Sequence, residues 1–140
     1  MYAAHMQYFI LKTEPHAYSF EQLEKDKKTS WDGVRNFQAR NNLSSMHVGD
    51  LCMIYHSVGP KEIVGTAVVT KEADSDKTSP DGRWVAVEIG FKSRLEKPVH
   101  LEQLKNHDTL KDIQLVRQSR LSVCPIAKKD WDAILQLAKS

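Results

Sequence analysis

Cysteine is scarce in this 140-residue chain, which carries only Cys52 and Cys124. Both sit in apolar, strand-like contexts without metal-ligand spacing, so they read as buried free thiols of a reducing compartment rather than as a disulfide. Charge of one sign is missing too: 20 Lys+Arg face 18 Asp+Glu, a formal net charge of +2. No global field draws such a chain to nucleic acid, and any binding of that kind needs a local basic patch. No stretch is long and apolar enough to cross a bilayer and no signal-peptide pattern opens the chain, so the expectation is a soluble protein with no membrane contact. It would be cytoplasmic in a bacterium or nuclear in a eukaryote. The histidines His5, His16, His47, His56, His100 and His107 are scattered, and none pairs with cysteine or carboxylate at ligand spacing, so neither metal nor cofactor is expected. Phosphate-loop motifs are absent as well, since Val58-Gly59-Pro60 reads as a turn.

What is present fits a single domain with a genuine core. Residues 1–6 (MYAAHM) precede the first patterned segment and read as a tag remnant or an unordered start, with the domain running over 7–140. Gln7–Thr13 is a β-run that stops at Glu14-Pro15, because the residue before proline is pushed to extended geometry and proline donates nothing to a ladder. Ser19 opens SFEQ, a capping-box pattern, ahead of a helix over about 20–27. A second helix is expected over 36–46, with Phe37, Ala39, Leu43 and Met46 as its apolar positions. Strands follow at 51–56 and 63–71, nearly continuous in apolar residues and so covered on both faces. Trp84–Leu95 alternates, with Val85, Val87, Ile89 and Phe91 on one face. Short helices at 100–105 and 109–118, a brief strand at 121–123 and a closing helix at 127–139 complete the order. Strands joined through short helices without regular alternation argue against a doubly wound sheet. The expected class is α+β, a small mixed β-barrel with flanking short helices, in a monomer.

Three segments carry candidate chemistry. In TSWDGVRNFQARNNL (29–43), Trp31 precedes the turn dipeptide Asp32-Gly33, and Arg35, Asn36, Gln38, Arg40 and Asn41 crowd polar groups onto a helix start. An indole beside a turn with amides and guanidinium groups suits a planar ligand that is stacked and read along its edge, as nucleobases are. On its own the window reads rather as a core tryptophan before a polar helix, because large aromatics are mostly buried for packing. Lys12-Thr13-Glu14 raises the idea of a threonine nucleophile activated by a lysine, set against a strand-end ion pair; along a strand, Thr13 would face away from the other two. Arg117, Ser119 and Arg120 place forked donors just before a strand, and with Lys12, Arg35 and Arg40 they would form one basic rim if the fold gathers them.

Read in order, FILKTEP (9–15), YSFEQL (18–23), SWDGVRNFQARN (30–41), GD (49–50), YHS (55–57), IVGTA (63–67), PVHL (98–101) and LVRQSRLSVCPI (115–126) resemble the EVE domain family of the PUA-like superfamily. The resemblance spans nearly the whole chain from Met6 onward. It implies a PUA-like barrel with a pocket for a modified nucleobase, associated in EVE domains with modified cytosines in DNA; the related YTH domains hold methylated adenine in RNA within an aromatic cage. Carried onto matching positions, the pocket would draw on Lys12, Thr13 and Glu14, on Trp31, Gly33, Val34, Arg35 and Asn36, on Tyr55, His56 and Ser57, and on Ser119, Arg120, Leu121 and Ser122. Trp31 would wall or stack the flipped base, Asn36 and Ser57 would read its edge with backbone near Gly33-Val34, and Arg120, Arg35 and Lys12 would hold phosphates or the pocket mouth.

The resulting expectation is a non-enzymatic reader of a modified base in DNA, with RNA as the less favoured nucleic acid and no cofactor. Two alternatives stand beside it: a nucleobase amidohydrolase built on Lys12, Thr13 and Glu14, and a protein-interaction module.

Overall fold

The computed structural model describes residues 6–139; of the expected tag remnant or unordered start at 1–6, all but Met6 lies outside them. β1 (Tyr8–Thr13) runs through the core and stops where Glu14-Pro15 ends its pairing. α1 (Phe20–Asp26) begins at Ser19, whose Oγ accepts from Gln22 N at 3.0 Å. Only the serine half of the expected capping box is used, because the Gln22 side chain instead donates to Asp26 one turn on, at 2.8 Å. β2 (Lys28–Trp31) follows, then α2 (Phe37–Ser44), capped by Asn36 Oδ1 accepting from Ala39 N at 2.9 Å. β3 (Leu51–His56), β4 (Glu62–Ser75) and β5 (Val85–His100) form the long meander. α3 (Leu101–Lys105), a 3-10 turn (Leu110–Asp112), α4 (Gln114–Arg117), β6 (Val123–Ile126) and α5 (Lys128–Lys139) close the chain.

The six strands form one mixed sheet in the order β2-β5-β4-β3-β1-β6, antiparallel throughout except for the parallel β1–β3 pair. The domain is therefore a mixed α/β unit, and the closed barrel expected from sequence is not formed: β2 and β6 remain at opposite edges. Repeated register shifts along β4–β5 bend the sheet strongly, since each bulge adds local twist. Curling thus happens without the last ladder.

Several elements differ from the sequence expectation for identifiable reasons. β2 was not anticipated, because KTSW has one buried position, Trp31, and no alternating apolar face. The helix expected over 109–118 is split by Ile113, whose extended backbone (φ −66°, ψ 157°) separates the 3-10 turn from α4. The last strand lies at Val123–Ile126 rather than 121–123, with Pro125 tolerated on an edge. In α2, Ala39 and Leu43 are buried, and so is Met46 just beyond its end, but Phe37, expected as an apolar helix position, is 53% exposed.

The core gathers Phe9, Ile10 and Leu11 of β1, the inward residues of β3–β5, and Trp131, Ile134 and Ala138 of α5, with the Trp131 ring 5.1 Å from that of Tyr8. α1 docks through Phe20, which lies directly over Gly65: a Cβ on that glycine would stand 2.0 Å from the ring. Cys52 and Cys124 are buried and free, as expected. Among the described residues no helix is long and apolar enough to cross a membrane.

Candidate functional site

A cavity of about 490 Å³ is lined by Thr29, Ser30 and Trp31 of the edge strand β2, Lys12 and Thr13 of β1, Ala17 and Tyr18 of the turn before α1, Asp32–Arg35, and Ser122 ahead of β6. That volume falls in the usual range for small-molecule sites. Trp31, at 8% exposure, is both a core residue and a cavity wall. Its ring meets that of Tyr18 edge to face, 6.3 Å between centroids and 88° between planes. The Tyr18 hydroxyl donates to Asp26 at 2.8 Å, which fixes the second aromatic wall. Burial raises the pKa of the Tyr18 hydroxyl.

The loop after Trp31 is held by a buried carboxylate. Asp76 Oδ2 accepts from Gly33 N at 2.8 Å and from Arg35 Nη1 at 2.9 Å, while Oδ1 accepts from Thr78 N and Thr78 Oγ1. Gly33 adopts φ +78°, a left-handed conformation that glycine takes without strain and that turns its N–H toward Asp76. Burial alone would raise the Asp76 pKa, but hydrogen bonds from Thr78, Arg35 and Gly33 outweigh it and hold the carboxyl well below the usual carboxylate range. Arg35 Nη2 reaches Thr78 Oγ1 at 3.0 Å, so this guanidinium is positioned rather than free.

Seven of the fifteen residues proposed from sequence line this cavity: Lys12, Thr13, Trp31, Gly33, Val34, Arg35 and Ser122. Lys12 Nζ donates to Ser119 O and sits 5.9 Å over the Tyr55 ring, and burial lowers its pKa. Thr13 Oγ1 donates to Tyr18 O at 2.7 Å. A smaller cavity of about 290 Å³ next to it is lined by Asn36, Gln38, Gln118, Ser119, Arg120 and Leu121. Asn36, Ser119, Arg120 and Leu121 are therefore neighbours of the main cavity rather than its walls.

The remaining four have other positions. Glu14 is exposed and pairs with His16 at 3.3 Å. Tyr55 is buried on β3 beneath Lys12. His56 Nε2 accepts from Phe20 N at 3.1 Å, at the start of α1; burial lowers its pKa against the opposing pull of Glu62 and Glu21. Ser57 donates through N (3.0 Å) and Oγ (3.3 Å) to Thr13 O, tying β3 to β1. Asn36 Oδ1 caps α2 and Ser57 braces a strand, so neither side chain lines the main cavity.

Sequence reasoning missed Tyr18, Thr29, Ser30 and Asp32 as walls and Asp76 as their anchor. Tyr18 carried a signal, standing in a turn just before the Ser19 cap, whereas Asp76 lay unremarked in a polar loop. No group of three or more His, Cys, Asp or Glu arranged to hold a metal occurs among the described residues.

The chain as a whole is similar to known proteins. Thymocyte nuclear protein 1 of Mus musculus is 32% identical over 167 residues, covering 95% of this chain and 74% of the relative. A hypothetical protein from Leishmania major superposes with a TM-score of 0.89 at 35% identity, covering 96% of each chain. Human THYN1 protein, solved in complex with 5-methylcytosine containing DNA, matches with a TM-score of 0.91 at 28% identity over 96% of this chain and 98% of that one. The EVE domain profile matches residues 7–137. This chain belongs to the EVE domain family.

Proposed function

We propose that this protein is a non-enzymatic reader that takes a modified base, in the first instance a modified cytosine of DNA, into the cavity walled by Trp31 and Tyr18. The observation that carries the reading is the pair of aromatic walls, perpendicular and 6.3 Å apart, bordered by small polar groups in a relative of a protein solved with 5-methylcytosine DNA. Stacking on an aromatic wall contributes about 1–3 kcal/mol per base, which offsets the few kcal/mol needed to extrude a base from a duplex. The base edge faces Thr29, Ser30, Asp32 and Ser122, the polar residues that line the cavity. Lys12 and Arg35 supply positive charge at its rim, and Arg120, which makes no ion pair among the described residues, contacts phosphate.

The hydrolase reading has less support. Lys12 and Thr13 line the cavity, but the Thr13 hydroxyl proton goes to Tyr18 O, one Lys12 donor is drawn to Ser119 O, and Glu14 stands outside at the surface. Turnover of an N4-acylated cytidine that disappears in Thr13→Ala would reverse this preference.

The direct test is binding to matched oligonucleotides carrying cytosine, 5-methylcytosine, 5-hydroxymethylcytosine or N6-methyladenine, in DNA and RNA. Preference for one modified base is expected, with DNA favoured. Because Trp31 is also a core residue, Trp31→Ala would cost about 3–5 kcal/mol of stability and confuse the result. Trp31→Phe keeps a ring in place and is expected to reduce modified-base binding by about tenfold while the protein stays folded. Indifference of the wild type across the whole panel rejects the reader.

A further inference from the structure

Beside the cavity lies an exposed aromatic surface that the pocket reading leaves unused. Phe37, the first residue of α2, is 53% exposed, and its ring stacks on that of Trp84 at 4.9 Å and 29°. The Arg40 guanidinium lies 4.9 Å from the Phe37 centroid. On the other side Arg35, a wall of the cavity, lies 5.8 Å from the Trp84 centroid. Arg35, Trp84, Phe37 and Arg40 therefore form one continuous chain of ring and guanidinium contacts leading out of the cavity.

Two features mark this chain as a ligand surface. A phenylalanine at a helix start gains nothing from water, yet here it is fixed in the open by its stack on Trp84. Arg40 donates to neutral oxygens only, to Arg83 O at 3.1 Å and Asn41 Oδ1 at 2.8 Å, and among the described residues no carboxylate pairs with it. Its charge is oriented and uncompensated, whereas that of Arg35 is balanced by Asp76.

We infer that Phe37, Trp84 and Arg40 form a second nucleic-acid contact, receiving the nucleotide that flanks the base held in the cavity, with Phe37 against the base or sugar and Arg40 on its phosphate. Aromatic and guanidinium groups presented together are what single-stranded segments bind, and an apolar side chain next to an extruded base keeps the neighbouring stack apart. The inference rests on the cavity being a base site, because the contact chain begins at the cavity wall Arg35.

The test compares the full-length wild type with Phe37→Ala and Arg40→Ala against three probes: free 5-methyl-2′-deoxycytidine, a 5-methylcytosine single strand, and the same strand without the modification. Both variants are expected to hold the nucleoside as the wild type does and to lose about tenfold on either strand. Arg40→Ala is also expected to lower the slope of log affinity on log salt by about one. Unchanged strand affinity in both variants overturns the surface and is what a protein-docking role for Phe37 would give. Equal loss on nucleoside and strand overturns it too, because the residues would then act through the cavity. The pocket reading fails differently: Trp31→Phe would leave modified and unmodified strands in the same ratio. In that case the Phe37→Ala comparison on the unmodified strand still decides the surface.

Discussion

Asp76, fully buried, and His56, half-buried, are titratable groups that brace the segments around the cavity without themselves forming its walls. Asp76 holds both the Gly33 amide and the Arg35 guanidinium. With its folded pKa below the unfolded value of about 3.9, its stabilisation is complete above about pH 4–5 and is lost as the pH falls toward the folded value. Asp76→Asn should cost about 1–3 kcal/mol at neutral pH, flatten the acid limb of the stability profile and loosen ligand binding by freeing Arg35. Thermal melts between pH 3 and 7 check the first two effects, and a variant with an unaltered acid limb would remove Asp76 from this role. His56 has the complementary behaviour. Burial depresses its folded pKa below the unfolded value of about 6.5, and the neutral ring accepts from Phe20 N. Its stabilisation is therefore full above about pH 6.5 and is lost as the pH falls through the folded value. His56→Gln should flatten the loss of stability that sets in below about pH 6.5, measured by urea titration at fixed pH steps. The sequence identified Trp31, Gly33 and Arg35 because turn chemistry and a clustered motif are local. Asp76 was invisible, since two of its partners, Gly33 and Arg35, lie more than forty residues away along the chain and nothing in DSDKTS announces burial.

The elements were legible wherever a single periodicity governed them. β1, β3, β4, α1 and α5 were read from apolar runs, a proline stop, a serine cap and the spacing of Trp131, Ile134, Leu135 and Ala138 at i, i+3, i+4 and i+7, of which Leu135 is only partly buried. β2 escaped because an edge strand with a single buried side chain has no pattern of its own; it exists by pairing with β5. Phe37 was misread for the opposite reason, as an apolar residue at helical spacing that the fold turns outward. The docking of α1 is specified at Gly65, where the close approach of the Phe20 ring excludes any Cβ. Gly65→Ala should destabilise by about 1–3 kcal/mol through overpacking, and adding Phe20→Leu should recover part of the loss if ring contact is the cause. Equal stabilities of the single and double variants would point instead to backbone conformation at Gly65.

On the scale of the whole molecule, a net charge of +2 means that affinity for nucleic acid rests on a few placed cations. Arg120→Ala should weaken modified and unmodified strands alike and lower the salt slope by about one; equal slopes in variant and wild type would take Arg120 off the phosphate backbone. The order of strands and the absence of closure were beyond reach of the sequence, because register shifts along β4–β5 arise from pairing between distant segments. Failure to close also has a consequence for how the site can diverge. An edge strand leaves backbone N–H and C=O groups without ladder partners, and in β2 the edge residues Thr29, Ser30 and Trp31 line the cavity. Main-chain groups are the same whatever the residue, so point substitutions leave that part of the donor and acceptor pattern in place. Relatives built on this open sheet can therefore change ligand preference through the side chains that line the cavity, while the main-chain contribution stays the same.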